Sequence, residues 1–356
     1  MSERISNEAV WDICSHTEII RNNYVRVANL AVKFEEVPDC SMQELGQDRQ
    51  SLDRSIDALS SRLYSAFYIG RQTEPPVHKQ MDQKPSSSAD EFEIADFIEQ
   101  LKDANGRSEN WDHGWEIYYL GTDGRVCVKR GDQSRIAWAG TYLLESWQGA
   151  GAKIGDRVKL KVFPFIEAPL DSFFHTFGKT LSDQFDDYQM LRFYFNIKRQ
   201  SAVPLLRFIA QQFNHYAVPY HFKTLADRAV YDRADAAVLY VASRYYSIVA
   251  SILADLPALL GDGLKSGVPM FTKIWSPGIG VAHDPGNGAS FGLHRCRLLA
   301  SALFDAWLQQ KNNEQEKYAF VEKYFDDAGL KLQAPYLNPG QFDIFEQPFF
   351  LGGLCR

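Results

Sequence analysis

At 356 residues, with 45% hydrophobic residues, 24 Phe and 17 Tyr, the chain can fill a substantial core in one large domain or two ordinary ones. A formal charge of −7 argues against bulk attraction to nucleic acid, yet it leaves room for a local basic pocket. No apolar run reaches the roughly 20 residues that span a bilayer; the longest candidate, Tyr245–Leu260, is interrupted by Asp255 and Pro257.

The five cysteines (Cys14, Cys40, Cys127, Cys296, Cys355) are odd in number and contain no CxxC pair. They read as reduced thiols of a cytoplasmic protein, not as a disulfide framework or a zinc site. The start, MSERISNEAVWDI, has no basic n-region and no apolar h-region, so no signal peptide is expected.

Taken in order, residues 5–35 carry apolar stripes at helical spacing (Val10, Ile13, Ile19, Ile20, Val25, Val27) and predict one or two helices. A second helical segment runs from Gln43 to Ile69 and stops at Gly70. Residues 72–90 are rich in Pro, Ser and charge and predict a flexible loop, after which Asp90 caps a helix with Phe92, Ile94, Phe97, Ile98 and Leu101 on one face. The stretch GWEIYYLGTDGRVCVKRG predicts a hairpin turning at Thr122-Asp123-Gly124. Residues 135–147 are short and mixed, 153–165 alternate as a strand, and 173–187 are irregular, with His175 and the acids Asp183, Asp186 and Asp187. Further on, YQMLRFYFNI is a strand and Ala202–Phe213 a helix. Tyr245–Leu259 is another helix, Pro269–Lys273 a short strand, and SPGIGVAHDPGNGASFG a long glycine-rich loop or lid. Two helices and an extended, Pro-punctuated tail close the chain.

The densest chemistry lies in Ala217–Val241, read as a strand, a polar turn and a second strand from Ala236. His221 and Lys223 stand two apart and share a face. Alone they make an ordinary polar strand face. Beside other cations, a buried lysine is held toward its neutral form and can act as a base. Such cations are at hand. Arg192, Tyr194 and Asn196 form the polar face of the preceding strand, and strands joined by one helix commonly pair. Arg228 and Arg233, with Asp232 and Asp235, sit in the turn, where arginine can grip a phosphate in bidentate fashion or simply be solvated. Lys273, His283, His294, Arg295 and Arg297 surround the glycine-rich loop, with the last three at a helix start. No GxGxxG, GxxxxGK[ST], HExxH or GxSxG motif is present, so no nucleotide, metal or serine-hydrolase site is indicated. Cys296, in LHRCRLL, reads as a core residue more readily than as an activated thiol.

The blocks LRFYFNI (191–197), VPYHFKTL (218–225), YDRADAAVLYV (231–241), VPMFTKIWSPGIGVAHDP (268–285), FGLHRCRLLASALFDAW (291–307) and PYLNPGQFDIF (335–345) resemble the HopA-type effector family. The pieces LYSAFYIG and WDHGWEIYYLGTDGRVCVKRGD resemble its cyanobacterial branch, so that the resemblance covers most of residues 60–345. It implies the lyase of class V lanthipeptide and thioamitide pathways. That lyase works with a kinase-like partner protein, which phosphorylates Ser or Thr of a precursor peptide, and removes the phosphate to leave dehydroalanine or dehydrobutyrine without a cofactor. Distant phosphothreonine lyases use a lysine base, a histidine acid and an arginine-rich phosphate pocket. On this chain the resemblance makes Lys223 the base. Arg192, Arg233, Lys273 and Arg295 are its phosphate-binding positions, and Asn196 and Arg228 orient the substrate. The acid stays open between His221, His294 and Tyr194.

The expectation is therefore an α+β protein with a mixed, largely antiparallel sheet packed with helices. A helical and hairpin region over residues 1–165 precedes a HopA-like domain over 166–356 that carries the site. The activity expected is phospho-Ser/phospho-Thr elimination on a phosphorylated peptide; the alternative is a non-catalytic effector-like module that holds a phosphorylated or acidic partner. Neither nucleic acid nor membrane is expected as a partner.

Overall fold

A computed structural model describes residues 2–27, 30–41, 48–70, 88–146, 151–167, 169, 172–227, 231–286 and 288–345. Helix α1 (Ser2–His16) leads into strands β1 (Thr17–Arg21), β2 (Tyr24–Val27) and β3 (Leu30–Lys33). Helix α2 (Arg49–Leu63) runs into a π-helical turn, Tyr64–Tyr68. After α3 (Ser88–Asn105) come β4 (Asn110–Leu120), β5 (Arg125–Arg130), β6 (Gln133–Trp138), β7 (Tyr142–Leu144), β8 (Arg157–Val162), β9 (Phe173–Phe177) and β10 (Met190–Phe195). Then follow α4 (Ala202–His215), β11 (His221–Leu225), β12 (Ala237–Ala242), α5 (Tyr246–Leu253), α6 (Leu256–Leu260), β13 (Lys273–Ser276), β14 (Ile279–His283), α7 (Phe291–Leu308) and α8 (Glu314–Asp327). The pairings β1–β2, β4–β5, β10–β12, β11–β12 and β13–β14 are all antiparallel, and the fold is α+β as the sequence predicts. No helix among the described residues is long and apolar enough to cross a membrane.

Two compact units divide the chain. The first holds Met1–Asp82, Asp232–Asp235 and Gly267–Glu346; the second holds Gln83–Tyr231, Ala236–Ser266 and Gln347–Arg356. In the first, α2 packs along α7, and α7 along α8. Asp48 caps α2 by accepting from the backbone N–H of Gln50 and Ser51, and Asn313 caps α8 in the same way through Glu316. Gly292 lets α7 approach Tyr68, whose ring lies where a Cβ would be.

In the second unit, one sheet has the order β6-β5-β4-β8-β7. Its inner face buries Trp115, Ile117, Val126, Val128, Ala137, Val158 and Leu160. The predicted hairpin turn forms here, with Gly124 at φ +82° and Gly121 N–H donating to Arg125 O. Strands β9, β11, β12 and β10 lie side by side in that order. One face of this set carries Phe174, Phe222, Leu239, Leu191, Phe193 and Phe195, all essentially inaccessible. Each such side chain contributes about 1.5–3 kcal/mol, so this face is fixed inward; the opposite face is partly covered as well, with Arg192, Tyr194 and Val238 buried.

Several local expectations are corrected. Residues 17–27 and 30–33 are not helical: Val25 and Val27 are buried and Arg26 exposed, a period of two, and a turn at Asn22-Asn23 joins β1 to β2. Helix α3 begins at Ser88, so Asp90 is not its cap, and Phe92 is 74% exposed, off the apolar stripe. The expected loop 72–90 lies outside the described residues up to residue 87. The irregular stretch 173–187 contains β9. The strand expected at Pro269–Lys273 starts at Lys273 instead, and the glycine-rich segment contains β14, buried along its whole length and so no lid. Gly280 belongs there because its missing side chain lets Thr272 and Val268 approach. The helix expected over Tyr245–Leu259 breaks into α5 and α6, with Pro257 in the first turn of α6.

Candidate functional site

Strand register builds the site. Lys223 lies opposite His175 on β9 and Val238 on β12; His221 lies opposite Phe177 and Tyr240. On the far side of β12, Arg192 lies opposite Tyr240 and Tyr194 opposite Val238. Directly opposed residues of antiparallel strands share a face. One face therefore displays Phe177, His221, Tyr240 and Arg192 in one row and His175, Lys223, Val238 and Tyr194 in the next. β10 and β11 do not pair directly as expected, because β12 lies between them. The residue thus inserted, Tyr240, becomes a shared wall. The Lys223 ammonium stands 5.7 Å from the Tyr240 ring centre and 4.5 Å from that of Phe173, and the Arg192 guanidinium 5.1 Å from Tyr240. Aromatic faces hold cations without neutralising them.

The two histidines are joined. His175 Nδ1 and His221 Nε2 are 2.8 Å apart, a hydrogen bond. The His221 ring also stacks on His175, Phe177 and Tyr240, with centroids 5.0, 4.9 and 4.8 Å away. Burial, followed by His175, Lys223 and Arg192, pushes His221 down to about 3, so it is neutral at neutral pH. Sequence reasoning missed His175 and Tyr240. The alternation FFHTF, with a polar ring at its centre, was the available signal for His175.

Arg192, Tyr194 and Asn196 are buried, and the Asn196 carbonyl accepts from Lys265 N–H at 2.8 Å. The second unit thus brings together Lys223, His221, Arg192 and Tyr194, with Asn196 just beyond the end of β10. Arg228 lies outside the described residues.

Four expected residues belong to the first unit. Arg233 makes a bidentate bond to Asp235, at 2.6 and 2.7 Å, and also donates to Tyr64 Oη at 3.1 Å. Lys273 donates to Asp343 Oδ2 at 2.5 Å, and Tyr336 Oη donates to the same oxygen at 2.7 Å. Arg295 is fully buried and donates to Pro335 O and Leu337 O, anchoring the tail, while its Nη1 lies 2.7 Å from His294 Nδ1. Burial and the adjacent Arg295 lower the affinity of His294 for a proton. His283 is 2% exposed and is pushed down to about 4 by burial. Cys296 is buried in α7 and its thiol is pushed up by that burial, which makes it a core residue.

An antiparallel α+β fold with a cationic, histidine-bearing sheet face defines the class of protein. Residues 170–337, which include Arg192, His175, Lys223, Lys273 and Arg295, match the model of the HopA1 effector protein family. The family that the sequence blocks resemble is the one whose model matches these residues. Among solved structures, the chain is similar to the effector protein from Pseudomonas syringae pv. tomato strain DC3000, with 15% identity and a TM-score of 0.38 over 71% of this chain and 83% of that one. It is likewise similar to the effector protein from Pseudomonas syringae pv. syringae strain 61, with 13% identity and a TM-score of 0.40 over 80% of this chain and 96% of that one. No curated protein matches the chain.

Proposed function

We propose that the protein is a phospho-Ser/phospho-Thr lyase acting on a phosphorylated precursor peptide supplied by a kinase-like partner. One observation carries the reading: Lys223 shares an aromatic-walled sheet face with Arg192, and among the described residues the groups that disfavour the charged form of His221 there are His175, Lys223 and Arg192. A face of that sign suits a phosphate dianion.

In the elimination, Lys223 first releases a proton to solvent, and its neutral amine Nζ then takes the α-proton of the phosphorylated residue. The electron pair of that C–H bond forms the Cα=Cβ double bond, and the Cβ–O bond breaks with its electrons going to phosphate. Arg192 holds the phosphate oxygens as their charge grows, and Tyr194, on the same face, orients the substrate or returns a proton to the departing group. Residues of this chain supply each of these roles.

The test is to incubate the purified protein with phosphothreonine peptides and follow their mass. Loss of phosphoric acid, abolished in Lys223→Ala, is the expected result. Retention of the peptide without any change in mass would sink the lyase and leave the second reading, a module that only holds a phosphorylated partner on the same face.

A further inference from the structure

The sheet of the first unit is open along β1. Its order is β1-β2-β3, so β1 has a strand on one side only among the described residues. Tyr24 closes the two-residue turn at Asn22-Asn23 opposite Arg21, so it bonds toward β1, and so does Arg26 two residues on. Glu18 lies opposite Arg26 and is bonded to β2. Thr17 and Ile19, opposite Val27 and Val25, therefore turn their N–H and C=O groups away from β2. Lys317 of α8 agrees with that direction: its ammonium donates to Thr17 O at 2.7 Å and to Cys14 O at 3.2 Å. Next along the same edge come the N–H and C=O of Ile19. A cavity of about 440 Å³ opens here, lined by Thr17, Ile19 and Lys317 and by Leu303 and Trp307 of α7. That volume lies within the roughly 300–1,000 Å³ of ligand pockets. The charge of the site is already answered. Glu18 and Glu314 both act on Lys317, and Glu18 is itself paired with Arg26 at 2.6 Å. Two of the three ammonium N–H groups are spent on carbonyls. What remains is one donor, one strand edge and an apolar floor, with Leu303 2% and Trp307 8% exposed. A small anion gains little from such a balance of charge, whereas a peptide backbone finds a donor and an acceptor at strand spacing.

We propose that β1 is a docking edge for an extended peptide segment of a partner, carrying one bulky apolar residue. The peptide adds to the sheet as a fourth strand, antiparallel to β1. Its apolar residue stands opposite Ile19 and exchanges both backbone hydrogen bonds with it. Directly opposed residues share a face, so the apolar side chain lies on the side of Thr17 and Ile19 and fills the cavity over Leu303 and Trp307. A peptide carbonyl accepts the remaining N–H of Lys317. The site belongs to the first unit and is independent of the proposed elimination, whose residues Lys223, Arg192 and Tyr194 belong to the second.

The probe is a set of end-blocked, fluorescein-labelled pentapeptides, TVXVT, with Leu, Phe, Gly or Asp at X. Each is titrated with the full chain and read by fluorescence anisotropy. Saturable binding with Leu or Phe at X, weaker by about tenfold or more with Gly or Asp, is the expected result. N-methylation of the X amide removes the hydrogen that Ile19 O accepts and should weaken the Leu peptide about tenfold. N-methylation of the following residue, whose N–H points away from β1, should cost far less. Ile19→Pro removes the donor on the protein side and should weaken the Leu peptide by a similar factor, since an edge strand tolerates proline. If that variant does not fold, the two methylated peptides decide, because they leave the protein unchanged. No saturable binding by any peptide overturns the proposal, as does equal affinity for Leu and Gly at X or an equal loss from the two methylations. A chain that dimerises in sedimentation and becomes monomeric in Ile19→Pro overturns it too, because the edge then belongs to a second copy.

Discussion

His221 should make the protein acid-sensitive in a way that one substitution removes. The folded imidazole titrates at about 3, whereas the same group in the unfolded chain titrates near its ordinary 6.5. As pH falls below 6.5, the unfolded state binds a proton that the folded state refuses, so stability is lost, and the loss continues until the folded group itself titrates. At pH 5 the gap is about 1.5 units, or roughly 2 kcal/mol relative to neutral pH. His283, at about 4 when folded, adds a similar amount at that pH by the same reasoning. The perturbation is His221→Phe, which keeps a flat ring for the stacks with His175, Phe177 and Tyr240. The assay is urea unfolding of wild type and variant at pH 7 and pH 5, free of sulfate and phosphate. The stability lost between the two pH values should be smaller in the variant by about 2 kcal/mol, leaving the share of His283. Equal losses in the two proteins would refute the reasoning, since His221 would then carry no proton linkage.

Lys223→Ala should lower phosphate elimination by about 10²–10⁴-fold, the usual contribution of a positioned general base, while its melting temperature stays near that of wild type. Asp235→Ala should cost about 3–5 kcal/mol in urea unfolding, because it removes, at a 5%-exposed position, the carboxylate that accepts two of the Arg233 N–H donors and balances its charge. Gly292→Ala should cost about 1–3 kcal/mol by the same measurement, since the new methyl meets the Tyr68 ring; a neutral result would mean that the ring moves aside freely. Asp48→Ala should cost about 1 kcal/mol through loss of the α2 cap, and Asp48→Ser should recover most of it.

Elements with a strong period were legible. LRFYFNI alternates along its length and forms β10, and Leu205, Leu206, Ile209 and Phe213 recur at helical spacing and are buried on α4. The turn at Thr122-Asp123-Gly124 was read from turn chemistry alone, and Gly124 has the positive φ that such turns need. Short strands were the failures. β1 and β2 have five and four residues, too few for a period of two to stand out against the helix before them. β14 was hidden because IGVAH is buried on every side and the glycines around it resemble a loop, although Gly280 is required by the close approach of Thr272.

The site divides along the same line, between what neighbours in sequence reveal and what register decides. That His221 and Lys223 share a face follows from their spacing of two, and the sequence yields it without any structure. That His175 stands opposite Lys223, 48 residues away in the chain, depends on β9 pairing with β11. That Tyr240 separates the two cations depends on β12 entering between β10 and β11. A direct β10–β11 pair would have set Arg192 or Tyr194 about 5 Å from Lys223. Like charges at that distance, with no ring between them, would repel. With Tyr240 inserted, both cations rest against one aromatic face and keep their charge turned to the same side of the sheet. The strand order thus sets two cations that sequence alone would crowd together against one shared ring, and the same order brings the histidine pair onto that face.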